Sequence, residues 1–247
     1  MKKLILLRGL VRESRHWGSF KDNLNNELKD HQVLTPEIQG VGKYHEQISP
    51  DNLKEMIHFM REQIKDDLTE DSVLVSMSLG GMIAKQWTEL YPNDFKKLIL
   101  INTSFKGINP LFSRLRPNAL LNFINIFLTP HTALREQKIL ELVSNEQVKR
   151  ESILPLWINI QKEAPVKRKS FINQIKAALT FEPSLDKPNI DTLILASKAD
   201  RLCKYSCSVK LSALWDCKLK LHQSAGHDIP LDAPEWLIAQ IKEFIHE

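Results

Sequence analysis

The chain has 247 residues, 43% of them hydrophobic, and its 34 Lys+Arg against 30 Asp+Glu give a formal charge of +4. Ordinary apolar content with mixed charge excludes a disordered chain, and 8 Gly and 3 Cys exclude collagen-like and disulfide-scaffold classes. At this length one α/β domain, 1–247, is expected, burying about 70–75% of its extended surface on folding.

Met1-Lys2-Lys3 carries the positive charge of a signal peptide, but the apolar run that follows, Leu4 to Leu7, is too short for an h-region. No run approaches the ~20 apolar residues of a membrane-spanning helix. A cytoplasmic protein without membrane association is the expectation. Cys203, Cys207 and Cys217 are odd in number and form no CxxC pair, so reduced structural thiols are expected.

In chain order, β-type runs fall at Leu4–Leu7, Gln32–Leu34, Ser72–Met77, Lys97–Asn102, Asp191–Ser197 and Lys218–His222, with helical patterns between them. Such alternation builds a mostly parallel central sheet with helices on both faces. Four of the runs are apolar at consecutive positions, as strands covered on both sides require. The helix carrying Met82, Ile83, Trp87 and Leu90 stops at Pro92, and a last helix runs from Pro234 to Ile245. Between about residues 105 and 188 the rhythm breaks. Pro110, Pro117, Pro130, Pro155, Pro165 and Pro183 divide this stretch into short helices, which reads as a helical cap insertion.

Val73-Leu74-Val75-Ser76-Met77-Ser78-Leu79-Gly80-Gly81 is a buried strand, a turn of small residues and a helix start, with Ser78 at the bend. A nucleophile on such a bend needs small neighbours, because flanking chain passes close to it. The Leu79 N–H, at the helix N-terminus, is placed to meet a developing oxyanion. The same segment also fits a Gly-rich helix start whose serine merely caps. Asp200, in Ser197-Lys198-Ala199-Asp200, and His227, in Ala225-Gly226-His227-Asp228, each follow a strand's carboxyl end. That edge of a parallel sheet is where sites form, so Ser78, Asp200 and His227 converge by topology. Asp191 precedes its strand and Asp228 is expected to point away from His227. Asp232 reads as the N-cap of the final helix, with Glu235 completing a capping box.

The Ser-Met-Ser-Leu-Gly-Gly elbow, the insertion after Asn102, Asp200 and the Gly226-His227 pair together resemble the α/β-hydrolase superfamily over nearly the whole chain. Within it the chain looks most like small capped bacterial carboxylesterases, among them pimeloyl-carrier-protein methyl ester esterases. The resemblance implies a cofactor-independent serine hydrolase acting on a carboxylic ester through a Ser78–His227–Asp200 triad. It also implies a second oxyanion donor, the Leu10 N–H, because Arg8-Gly9-Leu10 matches the family's His-Gly-X after the first strand. Ser76 stands where the elbow usually has Gly. The antiparallel hairpin that opens most relatives has no room in seven residues.

From Lys106 to Glu182 there are twelve Lys/Arg and six Asp/Glu, so the insertion is more basic than the rest of the chain. A basic cap suits an acidic acyl carrier protein or an anionic substrate group, with Arg8, Arg114, Arg116, Arg135, Lys138, Lys149 and Arg150 as candidate contacts. An ordinary solvated Lys-rich surface fits as well. Two other functions stay open: a lyase-type relative in which Arg8 grips a substrate carboxylate at the pocket mouth, and a binding protein with a disused elbow. No HxxxH or HxH pair, no phosphate loop after Leu7 and no nucleic-acid motif occur, so no metal, cofactor or nucleic-acid partner is expected.

Overall fold

In the computed structural model, which describes residues 1–247, the strands are β1 Lys2–Leu7, β2 His31–Leu34, β3 Val73–Met77, β4 Lys97–Ile101, β5 Asp191–Ser197 and β6 Lys218–His222. They form one six-stranded sheet in the order β2-β1-β3-β4-β5-β6, and every pairing is parallel. The chain leaves β1 toward β2 and returns on the other side as β3. The strand order therefore reverses between β1 and β3, the switch point at which such sheets open a crevice beyond their carboxyl ends. Gly9 and Ser78 lie just past those two ends.

Side chains alternate across the sheet, which is why the apolar runs are continuous. Ile5, Leu7, Leu74, Leu98, Leu100 and Ile194 pack on one face, and Leu4, Leu6, Val75, Ile99, Ile101 and Leu195 on the other. Each such side chain, fully removed from water, contributes about 1.5–3 kcal/mol. Helices α1 Ser19–Glu27, α2 Leu53–Glu62 and α3 Leu79–Leu90 precede β4. Met56 and Trp87 of α2 and α3 join the first cluster, and Phe20 and Leu24 of α1 the second. β6 is different: Lys218 and Lys220 alternate along it and pair with Glu247 and Glu243, the charged pattern of an edge strand.

Five helices separate β4 from β5: α4 Leu111–Arg114, α5 Pro117–Leu128, α6 Thr132–Val143, α7 Gln147–Glu163 and α8 Arg168–Thr180. After β5 come α9 Ser206–Trp215, α10 Ile229–Asp232 and α11 Pro234–His246. Pro155 corrects the expectation that every proline in the insertion marks a helix boundary, since it sits inside α7. It lies on the exposed side of that helix, where the Glu151 carbonyl it deprives of a donor can meet water. No helix is long and apolar enough to cross a membrane.

Candidate active site

Ser78 adopts φ 54° and ψ −121°, a strained conformation for a residue with a Cβ, and its side chain makes no capping hydrogen bond to α3. Two bonds fix the bend. Its N–H donates to Ile101 O at 3.0 Å, and Thr103 Oγ1 donates to its carbonyl at 2.8 Å. The small neighbours are needed sterically. A Cβ on Gly80 would stand 2.7 Å from both the Leu7 and Arg8 carbonyl oxygens, and one on Gly81 2.6 Å from Thr103. Ser76 fits where the motif has Gly because its hydroxyl, wholly buried, donates to Ile99 O across β4 at 3.2 Å. The helix-cap alternative for Ser78 thus has no bond to support it.

His227 Nδ1 lies 2.7 Å from Asp200 Oδ2, and both side chains are buried. The other carboxylate oxygen of Asp200 accepts the N–H groups of Leu202 at 2.7 Å and Cys203 at 3.0 Å, which locks the acid. With Nδ1 on a carboxylate, Nε2 is the ring nitrogen left free to take a proton. Burial alone would push the imidazole pKa down. The Asp200 charge and hydrogen bond outweigh it, with help from Asp228, so it stands above its ordinary value. A residue not singled out from sequence holds this loop: Asn102, at φ 46°, donates through Nδ2 to His227 O at 2.8 Å and accepts from Ser197 N at 2.9 Å. Its signal was a polar side chain closing the apolar run Leu98–Ile101.

Ser78, His227, Leu10 and Leu79 all line one cavity of about 360 Å³. The N–H groups of Leu79, first in α3, and of Leu10 donate to no protein acceptor. The Leu10 loop is held by its neighbours: Val11, at φ 52°, donates from its N–H to Gln174 Oε1 of α8 at 2.8 Å. Most of the cavity wall is apolar, with Leu111, Phe123, Ile139, Trp157, Phe171 and Leu179 supplied by the insertion.

Arg8 is not a free cation at the pocket mouth, which corrects that expectation and removes the support it gave a lyase reading. Its side chain is buried, bonded to Asp228 at 2.6 and 3.2 Å and stacked over Trp17 at 4.8 Å. Asp228 accordingly faces Arg8 and not the His227 ring. Asp232 is also corrected: the N-cap of α11 is Ala233, with Pro234 in the first turn. Asp232 instead is buried at the end of α10, where it accepts Ser144 Oγ at 2.5 Å, Asn145 N at 2.8 Å and Gly226 N at 2.6 Å. It ties the insertion to the residue before His227.

The remaining basic candidates disperse. Arg114 is in the wall of the 360 Å³ cavity, while Arg116 and Lys138 line a separate open cavity of about 760 Å³ with Arg201 and Lys204. Lys149 donates to Asp232 O at 2.8 Å and Arg150 to Ser144 O at 2.8 Å. Arg135 is half-buried and makes no ion pair. The three cysteines are free thiols.

A sequence model of the family described as "alpha/beta hydrolase fold" matches residues 2–234. The human monoacylglycerol lipase ABHD6 is 24% identical over 181 residues, 70% of this chain and 54% of that protein. The biotin biosynthesis bifunctional protein BioHC of Teredinibacter turnerae is 31% identical over 110 residues, 44% of this chain and 18% of its own length. The chain thus matches only about half of the first relative and under a fifth of the second. Among solved structures, 2-hydroxy-6-oxo-6-phenylhexa-2,4-dienoate hydrolase from Rhodococcus sp. strain RHA1 superposes with a TM-score of 0.80 at 18% identity, covering 100% of this chain and 91% of that one. At that identity the likeness is one of fold.

Proposed function

Because the chain belongs to the α/β-hydrolase fold family, we propose that it is a serine hydrolase that cleaves a carboxylic ester through an acyl-enzyme. One observation carries this reading: a strained serine that caps nothing shares a cavity with an imidazole whose Nδ1 is held by a doubly braced carboxylate. In the proposed reaction Ser78 Oγ attacks the ester carbonyl while His227 Nε2 takes its proton. The Leu79 and Leu10 N–H groups receive the oxyanion, where preorganised donors cost no reorganisation as charge develops. His227 then gives the proton to the leaving alcohol, and water repeats the cycle on the acyl-enzyme. Asp200 keeps the imidazole in the tautomer this needs. The insertion covers the acyl group and excludes bulk water.

A fluorophosphonate tests the reading. It is expected to label Ser78 stoichiometrically, and Ser78→Ala is expected to lose both labelling and about 10³-fold or more of esterase rate. Hydrolysis at the wild-type rate in that variant would refute it.

A second reading, in which the ester is attached to an acidic carrier protein, draws support from the open 760 Å³ cavity. Its wall holds Arg116, Lys138, Arg201 and Lys204 against the single carboxylate of Glu141. Attraction between exposed charges is screened over about 8 Å at physiological salt, so kcat/KM for a carrier-linked ester is then expected to fall with salt while that of a free ester holds. Equal salt sensitivity would dismiss the carrier.

A further inference from the structure

Three arginines reach the wall of the 360 Å³ cavity, and their charges are not balanced alike. Arg8 is neutralised by the two bonds to Asp228. Arg12 is neutralised by Glu136 at 2.9 Å, in a pair that is buried on both sides and that joins the β1 loop to α6. Arg114 has no carboxylate within ion-pair distance. Its Nη2 donates to Ala178 O near the end of α8 at 3.0 Å, its Nε is buried without a partner, and its Nη1 makes no hydrogen bond. The helix end satisfies one of five donors and offers only the partial negative charge of a macrodipole. Burial pulls the guanidinium pKa down, the mark of a cation being desolvated without full compensation.

A half-buried guanidinium with free donors in the wall of a reactive cavity calls for an anion from outside the fold. The rest of the wall limits what that anion is attached to. Of the 31 lining residues 21 are hydrophobic, so the group between the anion and Ser78 is apolar. We infer that Arg114 is the anion subsite of this cavity and that the ester cleaved at Ser78 bears a free carboxylate at the far end of an aliphatic chain, as in the half-ester of a dicarboxylic acid. This inference rests on the ester-hydrolase reading for its reaction, though not for its binding. The distal carboxylate is a spectator. The acyl C–O bond breaks, water supplies hydroxide to the acyl carbon and a proton to the leaving alkoxide, and the products are a diacid and an alcohol.

The test compares monomethyl and dimethyl esters of the same aliphatic diacids, across a series of chain lengths, at neutral pH. Binding to Ser78→Ala protein is measured by calorimetry, and kcat/KM on the wild type. At the best length the monoanion is expected to bind at least tenfold more tightly than its neutral partner, with kcat/KM following. Arg114→Gln is expected to bring the affinity ratio close to one, while Arg114→Lys, which keeps the charge, retains part of it. Equal affinities of the two esters across the series, or a ratio that Arg114→Gln does not move, would overturn the inference. If Arg114→Gln does not fold, the ratio is read in Arg114→Lys, where an undiminished preference would overturn the inference, as would equal affinities in Ser78→Ala protein. A binding preference without any hydrolysis by the wild type would sink the ester-hydrolase reading and leave the anion subsite standing.

Discussion

Arg8 and Asp228 clasp each other through two hydrogen bonds, of 2.6 and 3.2 Å, so that the residue before Gly9 and the residue after His227 are joined inside the protein. One side of this clasp is the loop that presents Leu10, and the other is the loop that presents the imidazole. The pair thus ties the Leu10 loop to the histidine loop. Both side chains are only 4% exposed, which makes either one costly to leave alone.

Arg8→Met is therefore expected to cost about 3–5 kcal/mol, because it strands a buried carboxylate. The double variant Arg8→Met with Asp228→Leu is expected to recover much of that loss in urea unfolding. Catalysis is not expected to recover with it, since the two loops are then no longer tied. Additive losses in the double variant would mean that the two groups do not act as a pair.

Asp200→Asn and Asp232→Asn are expected to separate chemistry from scaffolding. The first removes the carboxylate charge that faces His227 Nδ1, and a loss of about 10⁴-fold in kcat with the fold intact is the expected scale for that change. The second places an amide among three donors and is expected to lower stability by about 2 kcal/mol or more, well beyond the ~1 kcal/mol of an N-cap. Thermal unfolding and steady-state kinetics on the two variants check this, and exchanged phenotypes would reverse the assignment.

Two buried histidines give opposite pH signatures. The raised pKa of His227 means that its neutral, proton-accepting form fills only above the ordinary imidazole value of about 6.5. The acid limb of kcat/KM is thus expected to have its midpoint above 6.5, and Asp200→Asn to move it down. Raised in the fold, this group stabilises the protein fully below about pH 6.5, an effect lost as pH rises through the folded pKa. His16 runs the other way. Burial first, then Arg12 and Arg8, hold it well below its ordinary value, so its share of stability is present above about pH 6.5 and falls as pH drops below it. Urea unfolding of His16→Gln is expected to show a smaller decline on the acid side than the wild type. A decline of the same size in both would show that His16 is not its source.

The parts of the fold that local pattern controls were legible. Consecutive apolar residues bounded by turns marked the four inner strands, because a strand covered on both faces has no polar side to interrupt the run, while a short run and an alternating one marked the edge strands β2 and β6. The order in which Ser78, Asp200 and His227 follow strand ends was equally readable, since parallel topology alone puts those ends together. Contacts across long sequence separation were not. Nothing near Arg8 announces a partner 220 residues away. Asp232 was misread for a related reason: Asp-x-x-Glu imitates a capping box, but the helix begins two residues later with Ala233 as its cap, and the carboxylate's partners are Ser144 and Asn145 of the insertion and Gly226 N. Arg114 stands in the sequence as one of seven candidate substrate or carrier contacts, because sequence does not distinguish an arginine on a cap's exterior from one in a cavity wall.

Acylation of Ser78 is the most direct test of the proposed chemistry. Wild-type protein mixed rapidly with excess activated ester is expected to release one equivalent of alcohol in a burst before steady turnover. Peptide mass analysis of the quenched enzyme should find the acyl group on Ser78 and nowhere in Ser78→Ala. Turnover with no acylated Ser78, or the same hydrolysis in Ser78→Ala, would contradict a serine acyl-enzyme and with it the role assigned to the His227–Asp200 pair.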